Sequence, residues 1–139
     1  MHRILVILPN ECDREESTKL DPSKYEIHLL YPFDDAKEVT TDTYGAYMAQ
    51  PGFLVSYVDK AVEYVKKNDI TAVMFCHDLA SIVASVVCER TGLRGPTLES
   101  TFCSLHKYYS RSTEQCQLWY DYIHLDDPDK KWKAKVRYP

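Results

Sequence analysis

Residues 71–111, TAVMFCHDLASIVASVVCERTGLRGPTLESTFCSLHKYYSR, decide the fold of this chain. The apolar run from Thr71 to Cys76 has the length and the bulky composition of a buried strand. Apolar residues at helical spacing follow His77 and Asp78, and we expect Asp78 to cap that helix. Gly92 comes where a glycine C-cap is expected. The order of strand, polar turn and helix predicts one β–α unit of a parallel sheet.

A second helix is predicted after a short extended piece. We expect Gly95 to Thr97 to form a short fourth strand and Thr97 to cap the helix that follows. That helix runs into a basic and aromatic string, His106 to Arg111. Lys107 and Arg111 lie four residues apart and therefore share one helix face, where they suit the negative end of the helix dipole.

Earlier parts of the chain supply the other strands. Arg3 to Leu8 and Glu26 to Tyr31 are apolar runs of the kind found in parallel strands that are covered on both faces. His28 interrupts the second run, and we interpret it as a hydrogen-bonded structural residue. A crossover helix that starts at Pro51-Gly52, with the proline in its first turn, joins the second strand to the strand at Thr71. These elements predict an α/β fold, a small three-layer sandwich around a mostly parallel sheet.

The connecting segments carry weaker signals. Residues Glu11 to Glu16 are acidic, and we interpret them as a solvated turn without the G-x-G-x-x-G pattern of dinucleotide-binding folds. Any helix between Arg14 and Leu20 must be short because Asp21-Pro22 ends it. Residues 33–50 are polar and are interpreted as an insertion or a long loop.

Composition restricts the class of protein. The chain has 139 residues, 45% of them hydrophobic and 27% charged, which suits one globular domain. Its formal charge of −4 argues against nucleic acid as a partner. No apolar run has membrane-spanning length, so no membrane association is predicted. Five scattered cysteines and five dispersed histidines show no metal-ligand spacing, and we expect reduced thiols in a cytoplasmic protein.

The phrase Cys88-Glu89-Arg90-Thr91-Gly92-Leu93-Arg94-Gly95-Pro96-Thr97, with Lys107 in the helix beyond it, resembles one known family. It is similar to the end of the pre-ATP-grasp domain, the Rossmann-like module at the front of ATP-grasp ligases. His106 stands where that family has an aspartate before the lysine. The resemblance implies a Rossmann-like arrangement of the predicted strands and helices.

The resemblance also implies an activity and a set of site residues. In the family the lysine approaches the nucleotide phosphates, so Lys107, with Arg111 beside it, would bind nucleotide here. His77 and Asp78 would lie at the carboxyl edge of the sheet, where they would either touch substrate or serve as a turn residue and a helix cap. The full-length enzyme would use ATP and Mg²⁺ to join a small carboxylate to an amine through an acyl phosphate.

The resemblance further implies a division of the chain. Residues 1–112 would be the pre-ATP-grasp-like domain, and residues 113–139 a linker or tail that leads toward an ATP-grasp domain. Val136-Arg137-Tyr138-Pro139 looks like the tyrosine-proline step at the start of that domain. The implied partner is an ATP-grasp domain in cis or in trans. We expect neither a cofactor nor catalytic activity for this chain alone, and a homodimer is compatible with this prediction.

Two other hypotheses remain open from the sequence. The chain is a stand-alone α/β binding or interaction module that uses its exposed edge, or it is a DJ-1-like cysteine enzyme. In the second case Cys76, at a strand-to-helix turn, would be the nucleophile, and the positive end of the helix would push its thiol toward thiolate. Asp78 stands where the elbow of that family has glycine.

Overall fold

The computed structural model describes residues 1–32, 46–47, 49–106 and 109–110. Within them lie three strands, β1 (His2–Ile7), β2 (Tyr25–Leu30) and β3 (Ala72–Met74). The four helices are α1 (Glu11–Ser17), α2 (Phe53–Lys67), α3 (Asp78–Thr91) and α4 (Leu98–Leu105). In the described part of the chain no helix is both long enough and apolar enough to cross a membrane.

The chain divides into two compact units, Met1–Thr101 and Phe102–Pro139. The sheet and helices α1 to α3 belong to the first unit. The boundary predicted after residue 112 falls outside the described residues and stays a prediction. The long loop predicted for residues 33–50 also lies largely outside the described part of the chain.

The sheet is parallel, with the strand order β2-β1-β3. β1 is central, and Ile4 lies opposite Ile27 of β2 and Ala72 of β3. The predicted α/β class and the predicted parallel pairing of the three apolar runs are confirmed. β3 is shorter than expected, since its ladder with β1 ends at Met74.

The helices form layers on both sides of the sheet. Alternate residues of a strand face opposite sides, so Leu5 and Ile7 of β1 share one face and Ile4 and Val6 share the other. Leu5 and Ile7 are fully buried in a core built with α2 and α3. Helix α1 lies against the opposite face, where its side chains and Val6 line one groove. The predicted three-layer arrangement is therefore confirmed.

Helix α3 ends as predicted but begins differently. Gly92 is its C-cap with φ of 72°, the left-handed conformation that glycine adopts without strain, and Leu93 packs against the core. The prediction that Asp78 caps the helix is wrong. The N-cap is His77, no side chain caps the first turn, and Asp78 is the first helical residue.

The connection between α3 and α4 contains a predicted cap and a wrong strand. The Thr97 hydroxyl oxygen accepts a hydrogen bond from the Ser100 amide at 3.1 Å, so the predicted cap of α4 is confirmed. Gly95 to Thr97 do not form a fourth strand. Gly95 instead lies against Cys88 of α3. The approach is so close that a Cβ atom at Gly95 would be only 2.5 Å from the Cys88 sulfur. This approach to the helix takes the place of pairing with the sheet.

Helix α1 corrects the interpretation of residues Glu11 to Glu16 as a turn. The Asn10 side chain accepts from the Asp13 amide at 3.0 Å, and the Asp13 carboxylate accepts from the Asn10 amide at 2.8 Å. This reciprocal capping box starts the helix at Glu11. The acidic residues of its first turn also suit the positive end of the helix dipole.

His28 has the structural role that was predicted for it. Its Nδ1 lies 3.0 Å from the hydroxyl of Tyr64 on α2. Its Nε2 lies 3.3 Å from a carboxylate oxygen of Glu26, whose other oxygen accepts from Arg3 at 3.1 Å. The polar network ties β2 to β1 and to α2, and it accounts for a histidine within an apolar strand.

Candidate functional site

The carboxyl ends of β1 and β3 lie side by side at one edge of the sheet, and we call this edge the crevice. The two strands are neighbours, but the helix after β1 packs on one face of the sheet and the helix after β3 packs on the other. Chains that leave adjacent parallel strands toward opposite faces open a crevice between them, which is where open α/β sheets bind their ligands. Residues 8–13 and 76–78 form its two sides.

The β1 side of this edge has a strained backbone. Leu8 has φ of 47°, in the left-handed region that costs a non-glycine residue roughly 1–2 kcal/mol. The hydroxyl of Tyr57 on α2 accepts from the Leu8 amide at 3.0 Å and donates to the Leu30 carbonyl at 2.6 Å. Tyr57 therefore joins the ends of β1 and β2 and holds Leu8 in place. Its burial raises the pKa of the phenol, so the hydroxyl stays protonated and can donate.

His77 connects the β3 side of the edge to the β1 side. Its Nε2 lies 2.9 Å from the Leu8 carbonyl oxygen. Because a carbonyl oxygen only accepts, Nε2 carries the proton in this contact. Both polar groups of the Leu8 backbone are thus bonded to side chains, the amide to Tyr57 and the carbonyl to His77. The predicted site residue His77 is half-buried at the crevice and also stabilises it.

Asp78 lies beside His77 at the start of α3, where its side chain is exposed. It forms no capping bond, so helix capping does not explain the aspartate at this position. On the β1 side, Asp13 is the acidic residue of the capping box that starts α1. None of residues 8–13 and 76–78 is a lysine or an arginine, so these two sides carry only acidic charges when histidine is neutral.

Cys76 lies at the end of the β3 side and is exposed. Partial burial raises the pKa of its thiol to about 11, and a hydrogen bond to Asp13 and the negative charge of Asp13 act in the same direction. The sequence predicted the opposite, a thiol that the helix dipole pushes toward thiolate. That prediction is wrong because partial burial, and then the carboxylate of Asp13, favour the neutral thiol. A protonated thiol is a weak nucleophile, which argues against the DJ-1-like hypothesis.

We therefore expect Cys76 to react slowly with iodoacetamide at pH 8. An ordinary thiol with a pKa near 8.5 is partly ionised at this pH, whereas Cys76 has on the order of 100-fold less thiolate. The rate should rise steeply as the pH approaches 11, and Asp13→Asn should raise the rate at pH 8 several-fold because it removes the negative charge. Mass spectrometry of each alkylated cysteine measures these rates, with exposed Cys12 as the internal reference. Equal rates for Cys76 before and after Asp13→Asn would contradict the role of Asp13.

The structure does not describe the other predicted site residues, the basic pair Lys107 and Arg111. Lys107 and Arg111, the predicted nucleotide-binding pair, lie outside the described residues. Helix α4 ends at Leu105, two residues before the lysine. Within the described part of the chain no group of three or more His, Cys, Asp and Glu side chains is arranged to hold a metal ion. Of the predicted site residues, the structure describes the sequence neighbours His77 and Asp78, and the role of the basic pair stays a prediction.

Three residues of this edge were not identified from the sequence. Tyr57 was assigned to the apolar face of its helix, and neither the backbone of Leu8 nor the capping of Asn10 was foreseen. A tyrosine among valines and alanines on a buried helix face is a usable signal, since its hydroxyl needs a hydrogen-bond partner. The spacing of Asn10 and Asp13 is likewise a recognisable capping pattern.

Comparison with known proteins does not place the chain in a family. It matches no protein-family model and no curated protein. The functional proposal therefore rests on the crevice and its charged residues.

Proposed function

We propose that this chain is the substrate-facing N-terminal domain of an ATP-dependent carboxylate–amine ligase and that the crevice between β1 and β3 receives the amine. The single observation that carries the proposal is the charge of this crevice. Asp78 is exposed at its rim, Asp13 lies on the opposite side, and residues 8–13 and 76–78 contain no lysine or arginine. An ammonium group is the substrate part that such an edge attracts.

The position of the crevice supports the same proposal. It lies at the switch point of a parallel sheet, where ligands of open α/β folds bind. His77 and Tyr57 fix both polar groups of the Leu8 backbone, so this wall of the crevice is held in one conformation. Strain of this kind is common at ligand-binding positions because the surrounding bonds can maintain a fixed geometry.

Residues 8–13 and 76–78 do not suit the nucleotide that the family uses. A triphosphate would meet Asp13 and Asp78 with no basic side chain from residues 8–13 or 76–78 to offset the repulsion. ATP supplies the activation of the carboxylate in such ligases. In our proposal residues outside this crevice hold the nucleotide, with Lys107 and Arg111 as the candidates in this chain. The part played by the described residues is to bind and orient the amine.

Titration with small amines tests the proposal. We expect 1,4-diaminobutane to shift the backbone amide resonances of Asp78 and Asp13 at millimolar concentration, as measured by NMR on the full chain. Asp78→Asn should weaken this binding about threefold to tenfold, since it removes one charge at the rim. The matched control is Glu89→Gln, an exposed carboxylate on the same helix, which should leave the titration unchanged.

The same spectra give a second expected result with Mg²⁺-ATP. We expect no saturable shifts at residues 8–13 or 76–78, because these residues offer no phosphate contact. Micromolar nucleotide binding at this edge would contradict the proposal. So would diamine binding that Asp78→Asn and Glu89→Gln weaken to the same extent.

A second candidate function, a protein interaction module, is supported by a different observation. The sheet face opposite to α2 and α3 exposes apolar side chains, with Met74 at 46% exposure. The groove beside Met74 shares Asp13 and Cys76 with the crevice, but this observation does not depend on an amine.

A further inference from the structure

The two faces of the sheet are covered unequally. On one face Leu5 and Ile7 are fully buried under α2 and α3. In the part of the chain that the structure describes, the opposite face is covered by α1, a helix of seven residues. Parallel strands are normally covered on both faces. On this second face Met74 of β3 is 46% exposed, whereas Val6, its neighbour in β1, is buried.

An apolar groove follows from this unequal cover. It has a volume of about 280 Å³ and lies between α1 and the exposed part of the sheet. Its apolar and sulfur-containing lining is Val6, Leu20, Ile27, Met74 and Cys76. Leu20 and Met74 are exposed at 45% and 46%, on two sides of the groove. We call this surface the open groove. Exposed apolar side chains that gather in a concave surface mark a site where another molecule docks.

The dimensions of the open groove suit a helix. Among the described residues, Met74 of β3 is exposed beside the buried Val6 of β1, so we place the open strip over β1 and β3. Two neighbouring strands lie about 4.8 Å apart, and a helix with its side chains is roughly 10 Å wide. One helix therefore covers this strip. Layers of helices are also the usual cover of a parallel sheet.

The charge beside the open groove specifies the partner further. The segment of residues 11–21, which includes α1, contains five acidic side chains and two basic ones, a formal charge of −3. Asp13, Glu16 and Lys19 of this segment line the groove itself, and Lys19 is ion-paired to Glu16. The acidic residues still outnumber the basic one in this lining. We propose that the open groove binds a basic amphipathic helix of a partner polypeptide, with its apolar stripe on Met74 and Leu20 and its basic flank toward α1. This inference does not depend on the proposed ligase function.

A designed peptide tests the proposal on the full chain. The probe is an 18-residue peptide of leucine and lysine with its leucines at helical spacing, labelled with a fluorophore for anisotropy. We expect micromolar binding that weakens as salt is added, because part of the attraction is electrostatic. A peptide of the same composition in scrambled order should bind at least tenfold more weakly. An analogue with glutamate in place of lysine should show no saturable binding.

Variants locate the binding surface. Met74→Asp should weaken binding of the basic peptide at least tenfold, and Met74→Gln, a milder change that keeps the strand neutral, about threefold to tenfold. Glu16→Gln should weaken it about twofold to fivefold. The matched control is Val55→Asp on α2, since Val55 is 67% exposed on the opposite side of the sheet. Circular dichroism melting confirms that each variant is folded before its binding is measured.

Four outcomes would overturn the proposal. The first is the absence of saturable binding of the basic peptide. The second is equal binding of the ordered and scrambled peptides, and the third is equal weakening by Met74→Asp and Val55→Asp. The fourth is protection of Met74 from oxidation by hydrogen peroxide in the free chain, as measured by mass spectrometry, because a covered Met74 leaves no groove for a partner.

Discussion

We expect Tyr57→Phe to lower the free energy of unfolding by about 1–3 kcal/mol, the usual cost of leaving a buried polar group without its partner. The substitution removes only the hydroxyl, which accepts from the Leu8 amide at 3.0 Å and donates to the Leu30 carbonyl at 2.6 Å. The Leu8 amide is then buried without an acceptor while its backbone remains in the left-handed conformation. Urea denaturation followed by circular dichroism measures the change.

The pH dependence of stability gives an independent check on Tyr57. Burial raises the pKa of the folded phenol above its ordinary value, so the folded protein keeps the neutral form at a pH where the unfolded chain ionises. This contribution to stability is complete below pH 10 and is lost as the pH rises above it. The loss should be smaller in Tyr57→Phe. A matched control is Tyr25→Phe, at an exposed position, which should change stability by less than about 0.5 kcal/mol. If both variants were as stable as the parent, the Leu8 amide would have another acceptor.

Gly95→Ala is the second substitution with a large expected effect. A Cβ atom at this position would lie 2.5 Å from the sulfur and 3.0 Å from the Cβ of Cys88. Cys88 is buried, so neither residue can move away without disturbing α3. We expect a loss of about 1–3 kcal/mol, as is usual when an extra methyl group is forced into a packed interior.

A double-mutant cycle tests the cause. Cys88→Ala removes the sulfur, so the loss on Gly95→Ala should be smaller in the Cys88→Ala background by roughly 1 kcal/mol or more. Gly92→Ala is the control. Its cost comes from the φ of 72° with no atom within 4 Å of the added group, so Cys88→Ala should not reduce it. Strict additivity of Gly95→Ala and Cys88→Ala would show that the contact with sulfur does not limit position 95.

These glycines also change what the family resemblance means. Three positions of the phrase that carries it have structural explanations in this fold: Gly92 ends α3, Gly95 lets the chain approach Cys88, and Thr97 caps α4. A phrase with these residues at these positions therefore marks a tight connection between two helices. The phrase supports the local fold more strongly than it supports a nucleotide site. The ligase proposal is therefore tested at Asp78 and Asp13.

The sequence was sufficient for the regular parts of the fold. Continuous apolar runs identified β1 and β2, and helical spacing with Gly92 and Thr97 bounded α3 and α4, because these signals are local. The start of α1 was missed although its capping residues are also local, since the acidic character of Glu11 to Glu16 was taken as the sign of a solvated turn. Acidic residues also favour the first turn of a helix, because their negative charge suits the positive end of the helix dipole.

The candidate site was less accessible to sequence reasoning. His77 and Asp78 were placed at the sheet edge from the position of the strand alone. The bonds that shape this edge join residues far apart in the chain, such as His77 and Leu8, and no periodicity reports such contacts. The effect of Asp13 on Cys76 was hidden for the same reason. The dipole of α3 could be inferred locally, whereas the opposing carboxylate comes from another helix.

The central place of β1 has a consequence for biosynthesis. β1 leaves the ribosome before both of its neighbours in the sheet, and His77, which bonds to Leu8, is made 69 residues later. At about 5–20 residues per second this delay is roughly 3–14 s. During that time the apolar run from Ile4 to Leu8 has no sheet to join on its β3 side. Slow codons before residue 77 would lengthen the exposure of this nascent segment, while slow codons after α3 would not.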